Sequence, residues 1–333
     1  MKAYIVNKYK TKDAGQMMVV PMPELKRKQV IVQIFASSIN PLDLKIMHGD
    51  LKLILPYRRP FILGHDLSGV VTKVGDEITQ FKLGDEVYCR AGDYQIGTFA
   101  EFLAVNEEDL AIKPKTLTML EAASVPLIGL TAWQALVEKG SVKKGQKVFI
   151  QAGSGGVGTF AIQLAKHLGA IVATTTSTAN IEFVKTLGAD IVVDYKRDDF
   201  TQILSGYDIV LHSQDRETLE KSLRVLKPGG ILISLNSPPD LGFAKQIKAP
   251  WYMSLIMRSM SFGINRKARK LGVTYSFLFM RASGEQLAHL SSLIDSGIIK
   301  PVVDKVFKFS EISDAIAYVE SGRTKGKVVL SIK

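Results

Sequence analysis

The chain has 333 residues, of which 46% are hydrophobic and 23% charged. This composition fits a globular protein of about two domains and excludes the disordered and fibrous classes. The single cysteine, Cys89, excludes an internal disulfide and a four-cysteine structural zinc site. No apolar run reaches the roughly 18 residues of a membrane-spanning helix, and residues 1–6 alternate like a strand instead of forming a signal peptide. We therefore expect a cytoplasmic protein that is not inserted into a membrane.

The 43 Lys and Arg residues exceed the 32 Asp and Glu residues and give a net charge of +11. Such a charge suits nucleic acid, an anionic membrane surface or a phosphate-rich cofactor. The densest basic runs, residues 26–28 and 266–270, lie in no zinc finger and lack the aromatic spacing of an RNA-binding sheet. We interpret them as solvated surface and expect no nucleic-acid partner. The second run follows the aromatic-rich residues 251–262, which leaves contact with an anionic ligand open.

The pattern along the chain changes twice. Up to about residue 113, short β-branched or alternating runs are separated by turn residues, which predicts a mostly β domain. Helical spacing follows over residues 119–123 and 129–139, and from residue 147 to about 235 strands and helices alternate as in a doubly wound parallel sheet. The expected strands there are residues 147–152, 171–175, 190–194, 208–212 and 231–235.

The last part of the chain predicts a return to β structure. An apolar run at residues 273–280 could be a final strand of the parallel sheet, and a helix is expected over residues 284–296. Residues 302–309 alternate, 311–321 have helical spacing, and 328–332 form a last strand. We expect this tail to rejoin the N-terminal β domain.

A glycine-rich turn joins the strand at residues 147–152 to an amphipathic helix. In a strand–turn–helix unit, such glycines permit a tight turn and bring the backbone close to a pyrophosphate at the helix N-terminus. The sequence therefore predicts a dinucleotide site that includes Gly153, Ser154, Gly155, Gly156, Val157 and Gly158.

The end of the second strand of such a unit usually decides which dinucleotide binds. A carboxylate there would bind the ribose of NAD and repel a 2′-phosphate. Residues 173–180 contain no acid, and the first one is Glu182 in the next helix. Thr176, Ser177 and Asn180 are neutral donors that suit a phosphate, whereas Thr174 and Thr175 are read as β-branched strand residues.

Three further segments, residues 38–45 (SINPLDLK), 64–71 (GHDLSGVV) and 97–101 (GTFAE), complete a pattern. Together with the glycine turn they resemble the medium-chain dehydrogenase/reductase superfamily over essentially the whole chain, and its zinc-free quinone and enone reductases in particular. The resemblance implies an α/β protein in which a GroES-like β domain, residues 1–124 and 283–333, is split by a Rossmann domain, residues 125–282. It further implies NADPH in the cleft between them.

Two of three catalytic zinc ligands of the related alcohol dehydrogenases are absent. Asn40 stands where that family has Cys, His65-Asp66 stands for its His-Glu, and residues 124–135 offer no third ligand. Because catalytic zinc needs three protein ligands, we predict no metal site. His65 is expected to have a structural role, and Asp43 and Asp66 to shape the domain.

Without zinc, another group must stabilise the charge that develops on the acceptor oxygen. The resemblance implies this role for Lys45 of the N-P-x-D-x-K motif, and Asn40, on what we take to be the same loop, could donate a second hydrogen bond. A solvent-exposed loop lysine is the alternative for Lys45.

The resemblance also bears on the 2′-phosphate of the cofactor. A Lys that several quinone reductases use there is replaced by Asn180, whereas Tyr195 matches the family's phosphate-side tyrosine and Ser177 its short polar loop residue. Arg323, in the segment 321–327, matches a C-terminal motif in which an Arg can reach the same phosphate.

These observations predict an NADPH-dependent reductase of quinones or α,β-unsaturated carbonyls that works without zinc. A zinc-free alcohol or aldehyde dehydrogenase and a non-enzymatic NADPH-binding regulatory or structural protein remain alternatives. The sequence leaves the physiological acceptor open, because residues 51–60 and 237–261 read as variable loops. It also leaves open whether the protein forms a homodimer, as many family members do.

Overall fold

The computed structural model describes residues 1–9, 15–52 and 54–333. Their contacts divide the chain into two compact units: residues 1–130 with 281–333, and residues 131–280. The boundaries predicted from the sequence, after residues 124 and 282, lie near these positions.

The first part of the chain is mostly β structure, in agreement with its alternating pattern. Its strands and helices are β1 (Lys2–Val6), β2 (Gly15–Val19), β3 (Gln29–Ile39), α1 (Pro41–His48), β4 (Phe61–Ile62), β5 (Asp66–Val74), β6 (Glu86–Arg90), β7 (Phe102–Asn106), β8 (Leu110–Ile112), α2 (Met119–Ala123) and α3 (Pro126–Trp133). A π-helical turn, Gln134–Lys139, follows α3.

The middle of the chain alternates strands and helices. The elements are β9 (Lys147–Ile150), α4 (Gly156–His167), β10 (Ile171–Thr176), α5 (Ile181–Thr186), β11 (Ile191–Asp194), α6 (Phe200–Ile203), β12 (Tyr207–His212), α7 (Arg216–Arg224), β13 (Leu226–Ser234), α8 (Leu241–Gln246), α9 (Trp251–Lys270) and β14 (Thr274–Phe277). The six strands form one parallel sheet in the order β11-β10-β9-β12-β13-β14. This is the order of a doubly wound dinucleotide-binding sheet, so the predicted fold class is confirmed.

The remaining elements return to the first unit. They are α10 (Gly284–Asp295), β15 (Val303–Lys308), α11 (Ile312–Glu320) and β16 (Lys327–Ser331). Strand β16 pairs parallel with β15 and antiparallel with β3, within a sheet ordered β15-β16-β3-β5-β6-β8 in which β7 also pairs with β3. The expected return of the tail to the N-terminal β domain is therefore confirmed.

Three local predictions are wrong. The motif at residues 40–45 forms the start of helix α1 instead of a loop, and residues 237–261 contain α8 and most of α9. The strand expected at residues 231–235 begins earlier, as β13, and includes Pro228, Gly229 and Gly230, residues that are typical of a turn. Gly229, at φ 80°, interrupts regular pairing with β12 there, which allows the strand to pass through a sequence that reads as a turn.

Candidate active site

The glycine turn brings β9, β10 and α4 into close contact. A Cβ on Gly153 would lie 2.2 Å from the Thr174 Oγ1, and one on Gly158 would lie 2.2 Å from the Ala152 carbonyl oxygen. Both positions therefore exclude any side chain. The first i to i−4 hydrogen bond of α4 is donated by Thr159 to Gly155, at 2.9 Å. The amides of Gly156, Val157 and Gly158 precede it and carry the positive end of the helix dipole, which suits a pyrophosphate.

Four of the predicted cofactor residues form one hydroxyl–amide cluster: Ser154, Thr176, Ser177 and Asn180. Thr176 Oγ1 donates to Ser154 Oγ at 3.1 Å, and Asn180 Nδ2 lies 3.3 Å from the hydroxyl oxygens of both Ser154 and Ser177. The Asn180 Oδ1 is buried and has no hydrogen-bond partner among the described residues. A buried acceptor without a donor is costly, and a ribose hydroxyl could satisfy it. The cluster thus fits the ribose end of a dinucleotide.

The sheet register adds an acid that the sequence analysis overlooked. Asp194, at the end of β11, is the parallel partner of Thr176, so the neighbouring strand brings a carboxylate beside the end of β10. Its carboxylate accepts hydrogen bonds from the Thr178 hydroxyl and, at 3.1 Å, from the Lys196 amide, and Arg197 lies 3.7 Å away. The Thr178 hydrogen bond holds the pKa of Asp194 below its ordinary value. The carboxylate is charged, and its hydrogen bonds are made within the protein.

The two remaining cofactor predictions have different surroundings. Tyr195 donates its amide to the Thr176 carbonyl oxygen at 3.1 Å, and its side chain is 61% exposed, so it adjoins the hydroxyl–amide cluster. Arg323 is exposed in the segment between α11 and β16, in the other unit of the chain. Its contact with a phosphate stays a prediction.

Helix α1 carries the second half of the predicted site. Asn40 is its N-cap, Pro41 its first residue, and the Asp43 carboxylate accepts the Asn40 amide at 2.8 Å in a capping box. The other oxygen of Asp43 lies 2.6 Å from His65 Nδ1, and both side chains are fully buried. Through these bonds Asp43 and His65 join α1 to the region of strand β5, which agrees with the structural roles expected for them.

Asp66 is the centre of a buried hydrogen-bond network. Its Oδ2 accepts hydrogen bonds from Ser38 at 2.8 Å and from the Asn40 side-chain amide at 2.9 Å, and its Oδ1 accepts the Leu127 amide at 2.9 Å. The buried ammonium of Lys327 donates to Asn40 Oδ1 and lies 3.5 Å from Asp66 Oδ2. Asn40 is therefore committed on both ends of its amide, and donation to a substrate would require one of these bonds to open.

These bonds also decide whether a catalytic zinc ion fits. Both oxygens of Asp66 are occupied, Asn40 is held by Lys327, and His65 has a single unpartnered ring nitrogen, its buried Nε2. No group of three His, Cys, Asp or Glu residues that could hold a metal occurs among the described residues. The donor set does not fit catalytic zinc, which needs three protein ligands.

Lys45 lies on α1 and is half-buried. Burial lowers the pKa of its ammonium, and the carboxylate of Asp50 acts in the opposite direction. A cation held in partly desolvated surroundings interacts more strongly with a developing negative charge than one in bulk water does. This arrangement differs from that of the fully solvated loop lysine considered as an alternative.

The chain contains a parallel sheet with a dinucleotide-binding turn and then returns to its N-terminal β domain. This combination is typical of a nicotinamide-dependent dehydrogenase or reductase. Residues 26–115 match the family model of the alcohol dehydrogenase GroES-like domain and residues 187–330 that of the zinc-binding dehydrogenases. The chain belongs to the medium-chain dehydrogenase/reductase superfamily, and it is an NAD(P)H-dependent oxidoreductase.

Among its relatives, the chain is similar to 2-methylene-furan-3-one reductase of Solanum lycopersicum, with 34% identity over 99% of this chain and 79% of the relative. It is 33% identical to the chloroplastic NADPH-dependent alkenal/one oxidoreductase of Arabidopsis thaliana, over the same shares of each chain. Among solved structures, the quinone oxidoreductase from Coxiella burnetii has a TM-score of 0.86 at 29% identity and covers 100% of this chain and 99% of its own.

Proposed function

We propose that the protein transfers a hydride from NADPH to a quinone or to the conjugated carbon of an enone or alkenal, without zinc. The observation that carries this proposal is the half-buried ammonium of Lys45 on helix α1. Asn40 and His65, which stand where the alcohol dehydrogenases have zinc ligands, are hydrogen-bonded within the protein. Two relatives are named for reactions of the same chemical class, one as a 2-methylene-furan-3-one reductase and the other as an alkenal/one oxidoreductase.

A bound nicotinamide would supply the hydride in this reaction. The amides at the start of α4 would hold its pyrophosphate, and the hydroxyl–amide cluster would hold the ribose end. Addition of a hydride to the conjugated carbon leaves negative charge on the carbonyl oxygen. The Lys45 ammonium would stabilise that charge by a charge-assisted hydrogen bond.

The neutral character of the hydroxyl–amide cluster supports NADPH as the preferred cofactor. The Ser154 and Ser177 hydroxyls accept hydrogen bonds within the cluster, which leaves their own hydrogens to donate to a 2′-phosphate, and Tyr195 adjoins them. Charge-assisted hydrogen bonds of this kind contribute on the order of 1–3 kcal/mol. We expect kcat/KM to favour NADPH over NADH, and equal efficiency with the two cofactors would contradict this part of the proposal.

The test is an NADPH-oxidation screen with quinones, enones, alkenals and saturated aldehydes, in which every product is identified. An alkenal reduced at its C=C bond gives a saturated aldehyde, whereas reduction at C=O gives an allylic alcohol. The saturated aldehyde and the hydroquinone are the expected products. Alcohol products would favour the alcohol or aldehyde dehydrogenase alternative. NADPH binding without turnover of any acceptor would favour a regulatory or structural role.

A further inference from the structure

Helix α9 has two apolar faces, and only one of them is covered. Met257, Ser261, Ile264 and Ala268, spaced at helical intervals, are buried against the rest of the unit. The opposite side of its first three turns exposes six large apolar side chains: Trp251, Tyr252, Leu255, Ile256, Met260 and Phe262. Each of these residues is at least 52% exposed, and Trp251 is 76% exposed. Twelve helical residues span roughly 18 Å, so these six side chains form a largely apolar surface of that length, with the exposed Arg258 and Ser259 among them.

The last two turns of α9 present cations instead. Arg266, Arg269 and Lys270, with Arg258, line a cavity of about 800 Å³ that Phe262 of the apolar surface also lines. None of the four is ion-paired within the described parts of the chain, whereas the neighbouring Lys267 pairs with Glu220 at 2.6 Å. Residues 241–284 contain eight Lys and Arg residues and no Asp or Glu. The cations therefore have no acidic counterpart on their own segment.

Asp240 is the one acid among the residues that line this cavity, so its single negative charge offsets only one of the four positive charges. Its two carboxylate oxygens accept the Phe243 and Phe277 amides, each at 2.9 Å. These bonds cap α8 and tie it to β14. The carboxylate thus has structural partners of its own, and the side chains that line the cavity carry a net positive charge.

We propose that α9 docks on the surface of an anionic lipid bilayer, with its apolar turns in the headgroup–acyl boundary and its unpaired cations against lipid phosphates. A bilayer offers both an apolar interior and a negative surface within a few ångströms, which matches an apolar surface continuous with a cluster of cations. A second copy of the chain fits less well, because a twofold pairing through α9 would bring α9 against another α9, whose segment contains no acid to pair with these cations. No described helix is long and apolar enough to cross a membrane, so the contact is peripheral.

Vesicle flotation of the 333-residue chain tests this proposal. Vesicles of phosphatidylcholine alone are compared with vesicles that also contain phosphatidylglycerol, at low and at high salt. We expect flotation with the anionic vesicles only, weakened by salt. Fluorescence of Trp251 should shift to the blue on binding, and Trp251→Phe should remove most of that shift. Failure of the wild-type protein to float with anionic vesicles at low salt would overturn the proposal.

Matched variants separate the two parts of the surface. Replacing Arg266, Arg269 and Lys270 together by Gln should weaken anionic-vesicle binding by at least about tenfold. Replacing Lys26, Lys73 and Lys82 by Gln removes the same charge elsewhere and should change binding little. Leu255→Glu with Ile256→Glu should abolish binding, whereas Leu83→Glu with Tyr94→Glu, at other exposed apolar positions, should not.

Two readouts keep these results interpretable. Circular dichroism and NADPH oxidation should be unchanged in every variant, since all the replaced side chains are exposed. If the triple Gln variant at Arg266, Arg269 and Lys270 and the control at Lys26, Lys73 and Lys82 lost binding equally, the effect would come from net charge in general. That result would contradict docking through α9. Sedimentation analysis showing a dimer that the Leu255→Glu, Ile256→Glu variant dissociates, with no vesicle binding, would identify a second copy as the occupant and would also contradict it.

Discussion

Lys45 combines two properties that a group stabilising an oxyanion needs. Its position on α1 is fixed, because the capping box of Asn40 and Asp43 holds the start of that helix. Its ammonium is half-buried, which lowers its pKa and strengthens its interaction with a nearby charge. A flexible surface lysine would have neither property.

We expect Lys45→Ala to lower kcat for enones by about 10²–10³ while NADPH affinity stays nearly constant, because one electrostatic donor to the transition state is lost. Quinones, as stronger electrophiles, should be affected less. Steady-state kinetics and NADPH titration measure both quantities, with Lys52→Ala as the control at an exposed lysine one turn beyond α1. Wild-type kcat/KM on every enone and quinone would reduce the mechanism to positioning of substrate against cofactor.

The same side chain predicts a pH dependence. Only the ammonium form of Lys45 can donate to the oxyanion, so kcat for enones should fall as pH rises through its pKa. Because burial lowers that pKa, the fall should begin at lower pH than for an ordinary lysine. Asp50 raises the pKa, so Asp50→Asn should move the fall to still lower pH. A pH–kcat profile in which Asp50→Asn moves it upward would contradict this assignment.

Residue-scale prediction from the sequence succeeded where the signal was local. The glycine turn is specified by neighbours within a few positions and joins β9 to α4 as expected, whereas Asp43 caps a helix where a loop was expected. Asp194 and Lys327 were missed because they reach the site through strand pairing, one from β11 and one from β16. The parallel register of consecutive strands could have indicated Asp194, whereas no local pattern indicates that Lys327 bonds to Asn40.

The carboxyl end of β10 should control cofactor choice. Thr176→Asp places a carboxylate next to the Ser154 hydroxyl and beside Asp194, where it would repel a 2′-phosphate and accept from the hydroxyl of an unphosphorylated ribose. The ratio of kcat/KM for NADPH to that for NADH should fall by tenfold or more. Thr178→Ser keeps the hydroxyl that holds Asp194 and serves as control. An unchanged ratio in Thr176→Asp would show that the ribose end lies elsewhere.

At the scale of whole elements, α9 shows why hydrophobic periodicity can fail to predict a helix from the sequence. Its buried and exposed faces both carry apolar residues, so the alternation that marks an amphipathic helix is weak. Its N-cap is Pro250, whose side chain makes no capping hydrogen bond, so the usual start signal is also absent. By contrast α10, which begins after the polar cap Ser283, lies within one residue of the helix expected over residues 284–296.

The end of β12 carries a buried histidine whose tautomer is set by its neighbours. His212 Nε2 donates to the Asp215 carbonyl oxygen at 3.0 Å, and Nδ1 accepts from the Ser234 hydroxyl at 2.9 Å. These bonds tie β12 to β13 and to the start of α7. Burial lowers the pKa of His212 from 6.5 to about 4, against the opposing effect of Asp215.

Because of this buried histidine, we expect the free energy of unfolding to fall in acid. Between pH 6.5 and about 4 the unfolded chain binds a proton at His212 that the folded chain does not, so stability falls as pH is lowered through this window. The loss should reach about 3 kcal/mol. Denaturant unfolding at several pH values measures it. His212→Asn should be less stable at neutral pH but should flatten this part of the pH dependence, whereas His167→Asn, at an exposed histidine, should leave the slope as it is.

For the whole molecule, we expect turnover that does not depend on zinc, because the side chains at the zinc-ligand positions are hydrogen-bonded within the protein. Since Asp66, Asn40 and His65 are held by internal partners, purified protein should contain no stoichiometric zinc, and chelators should leave activity unchanged. Elemental analysis and assays with and without chelator measure both. Stoichiometric zinc whose removal abolishes turnover would revive the alcohol-dehydrogenase alternative. The control is a zinc-dependent alcohol dehydrogenase treated in parallel.

The placement of β16 has a consequence for the order in which the protein can be assembled during translation. The acid Asp66 and its neighbour Asn40 are synthesised early, but the ammonium of Lys327 that joins them comes only after all of residues 131–280 have been made. The continuous second unit can therefore fold while the first still lacks the strand between β3 and β15. Until then the nascent chain carries an unfilled edge beside β3, where a ribosome-associated chaperone would be needed most.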